Sequence, residues 1–161
     1  MERSGVLWCK WKSVGGGYMF LGTYEPKLDA KSRLILPSKF RNQLENGLVI
    51  TKGQDRCLYV FPINEFDNIY KALKNTSLTS KQARDYSRIM LSGASDEIPD
   101  KQGRITITAQ LREYANIDKE LSVIGVGSRI EIWDRKIWSE YSNAQEEIFS
   151  NTEDEIMPGV F

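Results

Sequence analysis

Two short stretches of the 161-residue chain carry one charged pattern, 71 positions apart. Asp29-Ala30-Lys31-Ser32-Arg33 and Asp100-Lys101-Gln102-Gly103-Arg104 each set a carboxylate four residues before a guanidinium, with a lysine between. A guanidinium is a planar fork of donors suited to a guanine edge or a phosphate, so Arg33 and Arg104 are candidate DNA-binding residues. Lys31 and Lys101 on the same turns could neutralise phosphate. Asp29 and Asp100 fit less easily, because a carboxylate repels a polyanion. Either each Asp pairs with its Arg and fixes the side chain's orientation, or it accepts from a cytosine amine. The first is preferred, since an Asp that organises a turn through its own following backbone is common. The bland alternative is that Asp-x-x-x-Arg only caps a turn with an ion pair.

Other chemistries lack their residues. The chain has no histidine, which removes His-based general bases, a Ser-His-Asp triad and His-containing metal sites. Paired Asp residues from related halves resemble the arrangement in aspartic proteases. Those enzymes need Thr or Ser and then Gly after each Asp, whereas Ala30 and Lys101 follow here. No phosphate-binding loop, dinucleotide fingerprint or metal-ligand cluster is present. The expectation is therefore a non-enzyme with no cofactor, no metal and no small-molecule substrate. No apolar run approaches a membrane span, and residues 1–18 lack the apolar core of a secretory signal. Cys9 and Cys57 make no disulfide framework, which fits a reducing compartment. The net charge is zero, against a generic polyanion binder, but it is unevenly spread. Residues 25–41 carry five basic against two acidic side chains, and residues 134–161 carry two against seven. A local basic face and an acidic tail directed elsewhere are compatible with that asymmetry.

The elements that must position the two turns repeat with them. The offset of 71 also pairs Met19 with Met90, Gly22 with Gly93 and Arg41 with Arg112. In the first copy, Phe20 to Tyr24 reads as a strand ended by Pro26. Ser32 stands where the second copy has Gly103, a position that calls for positive φ. Arg33 to Leu36 is the returning strand, with Leu34 and Leu36 facing the core, as Ile105 and Ile107 do against Thr106 and Thr108. Pro37 opens a short helix over Ser38 to Leu44 from its first position. Strands follow at Leu48 to Thr51 and Cys57 to Phe61, and again at Leu121 to Val126 and Arg129 to Trp133. Phe66, Ile69, Tyr70 and Leu73 have helical spacing, as do Trp138, Tyr141 and Ile148. Thr79 to Leu91 is a further helix, with Thr79 or Ser80 as N-cap. The chain thus divides into an extension, 1–18, joined by Gly15-Gly16-Gly17 and expected to be poorly ordered; a first repeat, 19–75; a connecting helix, 76–89; a second repeat with its C-terminal helix, 90–150; and an acidic tail, 151–161. A four-stranded unit alone buries little and leaves open edges, so the two halves are expected to close into one barrel.

The run Met19-Phe20-Leu21-Gly22-Thr23-Tyr24, continued by Leu28-Asp29-Ala30-Lys31-Ser32-Arg33-Leu34-Ile35-Leu36-Pro37, closely resembles the start of MraZ proteins. Leu91-Ser92-Gly93-Ala94, Asp100-Lys101-Gln102-Gly103-Arg104-Ile105, Gly47 to Gly53 and Ile130 to Asp134 match as well, so the resemblance covers about residues 19–150. Departures are Ser32 where Gly is usual, Thr108 where the first copy has Pro37, and the extra residues 1–18. The resemblance implies an α+β, mainly β fold of duplicated AbrB-like swapped-hairpin half-domains, forming a pseudo-symmetric barrel with flanking helices. It implies a bacterial transcriptional regulator, cytoplasmic and nucleoid-associated, acting as a repressor at the promoter of the division and cell-wall gene cluster. The family binds double-stranded DNA at short direct repeats and forms ring-like homo-oligomers. It favours DNA contact for Lys31, Arg33, Lys101 and Arg104, and turn support for Asp29 and Asp100. An antitoxin-like module that holds a protein through the acidic tail is the alternative, by analogy with AbrB-like folds.

Overall fold

The computed structural model describes residues 19–76, 78–153 and 159. Among these residues eight strands and five α-helices follow in the order β1 (Phe20–Tyr24), β2 (Arg33–Ile35), α1 (Ser38–Leu44), β3 (Leu48–Lys52), β4 (Leu58–Pro62), α2 (Ile63–Thr76), α3 (Lys81–Ser92), β5 (Ser95–Glu97), β6 (Arg104–Thr106), α4 (Ala109–Tyr114), β7 (Leu121–Gly127), β8 (Ile130–Asp134) and α5 (Arg135–Asn151). Six strands form one antiparallel sheet in the order β1-β7-β8-β4-β3-β5, and β2 pairs with β6 as a separate ribbon.

The halves are interleaved. β1 of the first half pairs with β7 of the second, β5 with β3, β8 with β4, and β6 with β2. A half that lends its strands in this way cannot keep its sheet without the other. The β1–β7 seam is especially close at Gly125, where a Cβ would stand 2.3 Å from the Leu21 amide and the Phe20 carbonyl carbon. Only a residue without a side chain lets β1 lie there.

Strand alternation sorts the apolar residues to two faces. On one face Leu58 and Val60, Leu48 and Ile50, Val123, Ile130 and Ile132 pack with Leu34, Leu36, Ile105 and Ile107 beneath the ribbon, and with Phe40, Leu44 and Leu111 of α1 and α4. On the other, Tyr59, Phe61, Ile124 and Trp133 pack with Met90 and with Phe66, Ile69, Leu73, Ile137 and Trp138 of the long helices. Both sheet faces are therefore covered, and the ribbon is seated on the inner core through its own apolar side.

The structure corrects two expectations. The sheet is not a closed barrel: among the described residues its end strands, β1 and β5, do not pair with each other. Pro26 and Pro99 follow those strands and bring no amide hydrogen to a ladder, and at the β5–β6 seam a side chain, Glu97, takes the Thr106 amide in place of a carbonyl. As the helix read over Thr79 to Leu91 implies, residue 90 lies on a helix where its offset partner, residue 19, leads into a strand. Met90, Leu91 and Ser92, which the offset pairs with Met19, Phe20 and Leu21, belong to α3, with Met90 buried on the outer face. Gly93 then caps that helix at φ −87, whereas Gly22 sits in β1 at φ +98. Finally, Pro37 is the N-cap of α1 at φ −52 and ψ 135, not its first helical residue. In α3 the cap is Ser80, whose hydroxyl accepts from the Ala83 amide at 3.0 Å. Trp8, Trp11, Cys9 and the glycine join lie outside the described residues, as does most of the acidic tail.

Candidate nucleic-acid interface

Each Asp-x-x-x-Arg stretch folds into a turn held by its own aspartate. Asp29 Oδ1 accepts from the amides of Lys31 and Arg33, both at 2.9 Å, and Oδ2 accepts from Arg33 Nε at 2.8 Å. Asp100 Oδ1 accepts from the amides of Gln102 and Arg104 at 2.9 Å, and Oδ2 from Arg104 Nε at 2.7 Å. The chain must turn left-handed to bring this about: Ser32 lies at φ 60 and Gly103 at φ 75. The positive φ read from the Ser/Gly pairing is thus present in both turns. The amide donated by Arg33, ahead of its guanidinium, holds the Asp29 carboxyl below the usual carboxylate range, and Arg104 does the same to Asp100. Both carboxylates are ionised at neutral pH and spend their lone pairs on the turn.

That arrangement aims the arginines. With Nε engaged by Asp, the terminal Nη groups of Arg33 and Arg104 have no hydrogen bond among the described residues. In the β2–β6 ladder Arg33 stands opposite Thr106, Leu34 opposite Ile105 and Ile35 opposite Arg104. Leu34 and Ile105 are fully buried. Alternation puts Arg33, Ile35, Arg104 and Thr106 together on the outer side of the ribbon. The two arginines occupy diagonal corners, two residues apart along the ladder, or about 7 Å. Lys31 and Lys101 are exposed on the flanking turns, and neither forms an ion pair among the described residues. All six residues singled out from the sequence are thus brought to one ribbon, with its two turns.

Sequence reasoning missed the residues that brace it. Arg41 Nε donates to the Leu36 carbonyl at 2.9 Å, and Arg112 Nη1 to the Ile107 carbonyl at 2.7 Å. Their identity in the repeat was the available signal. Arg41 also lies against Gly103, where a Cβ would be 2.6 Å from its Nε. Glu97 accepts the Thr106 amide on both oxygens, at 2.9 and 3.0 Å. Burial pushes the Glu97 carboxyl above its ordinary value, against that hydrogen bond. No local pattern marks Glu97, which reaches nine residues along the chain.

A second polar cluster lies on the opposite face and is closed. Glu131 accepts from Trp133 Nε1 at 3.0 Å and from Arg129 Nε and Nη2 at 3.0 and 2.7 Å, while the Arg129 guanidinium lies 4.7 Å over Tyr59. The nearby Cys57 thiol is buried and free, and burial with the Glu131 charge pushes it up, away from the reactive thiolate. Among the described residues no three His, Cys, Asp or Glu side chains are placed to hold a metal ion, and no helix is long and apolar enough to cross a membrane.

The profile of the family described as "MraZ protein, putative antitoxin-like" matches residues 19–89 and again 90–157. A relative from Kocuria rhizophila is 62% identical over 143 residues, covering 89% of this chain and 100% of its own. One from Micrococcus luteus is 57% identical with the same coverage. One from Kineococcus radiotolerans is 52% identical over 142 residues, 88% of this chain and 99% of its own. Each of the three is named Transcriptional regulator MraZ.

Proposed function

The chain belongs to the MraZ family, and from that premise we propose that it is a sequence-specific DNA-binding regulator of transcription, acting as a repressor. The observation that carries the proposal is the outer side of the β2–β6 ribbon. Two aspartate-held arginines present their Nη groups there, with Lys31 and Lys101 beside them. A two-stranded ribbon is one of the elements the B-DNA major groove admits, and a guanidinium fork matches guanine O6 and N7. Lysines on the turns would set the ribbon's position through phosphate. Asp29 and Asp100 are supports in this reading, since their oxygens already serve the turn.

One chain of zero net charge with so small a basic patch binds DNA weakly at physiological salt. Linked copies change this, because later contacts are intramolecular and avidity rises by roughly 10²–10⁴-fold. A head-to-tail ring of copies presents its ribbons in one rotational sense and so matches direct repeats. The proposed targets are such repeats in the promoter of the division and cell-wall gene cluster, in the cytoplasm at the nucleoid. The test is a footprint by the purified protein on the DNA upstream of its own gene, with wild type and with Arg33→Ala/Arg104→Ala. Protection of spaced repeats that the double variant fails to protect is the expected outcome. Equal protection by both proteins would reduce the turns to structural caps.

The family's antitoxin-like description favours one further reading, a protein-binding role through the C-terminal end. Ile148 and Phe149 are 61% and 84% exposed there, beside Glu146 and Glu147. A tight protein partner lost on truncation after residue 145, with the footprint intact, would select it.

A further inference from the structure

On the outer side of the ribbon, Ile35 is 51% exposed, although it lies on a strand whose other side is fully buried. It belongs to neither apolar cluster of the fold. A scattered exposed isoleucine is ordinary on a protein surface, but this one stands directly opposite Arg104. Its counterpart in the second half, Thr106, stands directly opposite Arg33. The chain thus fills one pseudo-equivalent strand position with Ile and with Thr. Strand propensity alone is met by threonine, so it does not call for an isoleucine in solvent. What the two side chains share is a branched methyl group carried on Cβ.

Directly opposite residues of an antiparallel pair have Cβ atoms about 4.5–5.5 Å apart. Each methyl therefore lies within one or two base steps, of about 3.4 Å each, of the base met by the neighbouring arginine. The group in the major groove that an aliphatic methyl recognises is the thymine 5-methyl. We infer that Ile35 and Thr106 are specificity-determining residues that contact thymine methyls one or two steps from the guanines met by Arg104 and Arg33. The inference rests on the DNA-binding reading above and adds a second base to each half's target. Ile35 carries the larger share, because it offers more apolar surface than Thr106.

The test uses two duplexes of the footprinted repeats, one natural and one with every thymine of the repeats replaced by deoxyuridine, which removes only the methyl. Binding is measured by fluorescence anisotropy for the full chain, for Ile35→Ser and for Arg33→Ala/Arg104→Ala. Withdrawing one methyl from contact is worth about fourfold in affinity. Wild type should bind the deoxyuridine duplex at least about fourfold more weakly than the natural one. Ile35→Ser should bind the natural duplex more weakly than wild type does, and should respond less to the replacement. Because Ile35 is exposed, the variant should melt with wild type. Equal wild-type binding to both duplexes, with loss in the double arginine variant, overturns the methyl contact and leaves the DNA-binding reading standing. So does a loss in Ile35→Ser that is the same on both duplexes. If the double arginine variant binds as wild type does, both fall.

Discussion

In the first turn a serine holds the left-handed position, a proline follows the returning strand, and Pro26 occupies the place that Glu97 has in the second half. In the second turn a buried glycine is pressed against Arg41, Glu97 grips the Thr106 amide, and Thr108 caps the following helix by accepting from Leu111 at 3.3 Å. Yet the three hydrogen bonds accepted by each aspartate agree to 0.1 Å between the turns. The surroundings have diverged while the hold on the arginine has not. That is the pattern expected if arginine orientation is what both turns exist to provide, and if strand bracing can be supplied by different local means.

The largest expected effect tests that sameness. Arg33→Ala and Arg104→Ala should each weaken binding to the footprinted repeats by about 1–3 kcal/mol per contacted site, or roughly 5- to 150-fold. Repetition around an oligomer would multiply the loss. Because both side chains are held alike, the two losses should agree within a few-fold, with melting temperatures unchanged. A tenfold difference between them, in isothermal titration at one salt concentration, would show that Glu97 and Thr108 make the second turn the principal reader.

How much of this was legible in the sequence depends on the range of the interaction. The turns, the left-handed position and the inward Leu34, Leu36, Ile105 and Ile107 were readable because each follows from residues within a few positions. So was helix α1, whose bounds the sequence marked with Pro37 and Gly47. The family resemblance came from the same short runs. The interleaving of strands was only hinted at by the repeat, since which half's strand pairs with which is decided by packing across the chain. Met90 matches Met19 in type and offset, yet the helix read over Thr79 to Leu91 already contained it, and its side chain fills the outer core. Glu97 was invisible because its partner is supplied only by the folded chain. An acid in a short acidic run reads as solvated until the fold brings a free strand amide to it.

A smaller effect concerns the left-handed residues. Gly103→Ser forces a side chain into a buried site at φ 75, with its Cβ 2.6 Å from Arg41 Nε. Non-glycine residues in that region cost about 1–3 kcal/mol, and displacement of Arg41 adds to it. The reciprocal Ser32→Gly relieves about 1–2 kcal/mol of left-handed strain and returns about 0.5–1 kcal/mol to unfolded-state entropy. Denaturant titration should therefore show a clear loss for the first variant and, for the second, a gain of no more than about 1.5 kcal/mol. If Gly103→Ser/Arg41→Ala is as unstable as Gly103→Ser, the contact with Arg41 is not what separates the turns.

The smallest effect distinguishes the carboxylates by sign. Asp29 and Asp100 have folded-state pKa values below the ordinary 3.8. Their stabilisation is present above that value and is lost as pH falls through the lower folded ones. Glu97 is shifted the other way, above 4.5, by burial. Its ionised form is disfavoured by folding, so its contribution is most favourable below pH 4.5 and declines as pH rises through the folded value. Glu97→Gln keeps an oxygen to accept the Thr106 amide and removes the charge. At pH 7 the variant should therefore melt slightly above wild type. As pH falls below about 4.5, the wild-type carboxyl becomes neutral in both folded and unfolded chains and the advantage should vanish. Asp29 cancels in the difference between the two melting curves, whereas the Asp100 charge, which adds to the rise at Glu97, belongs to that difference. A variant that melts below wild type at pH 7 would mean that the charge itself strengthens the bond to Thr106 beyond its desolvation cost. Glu97 would then be a brace of the same kind as Asp100, and the second turn would differ from the first by a full additional anchor.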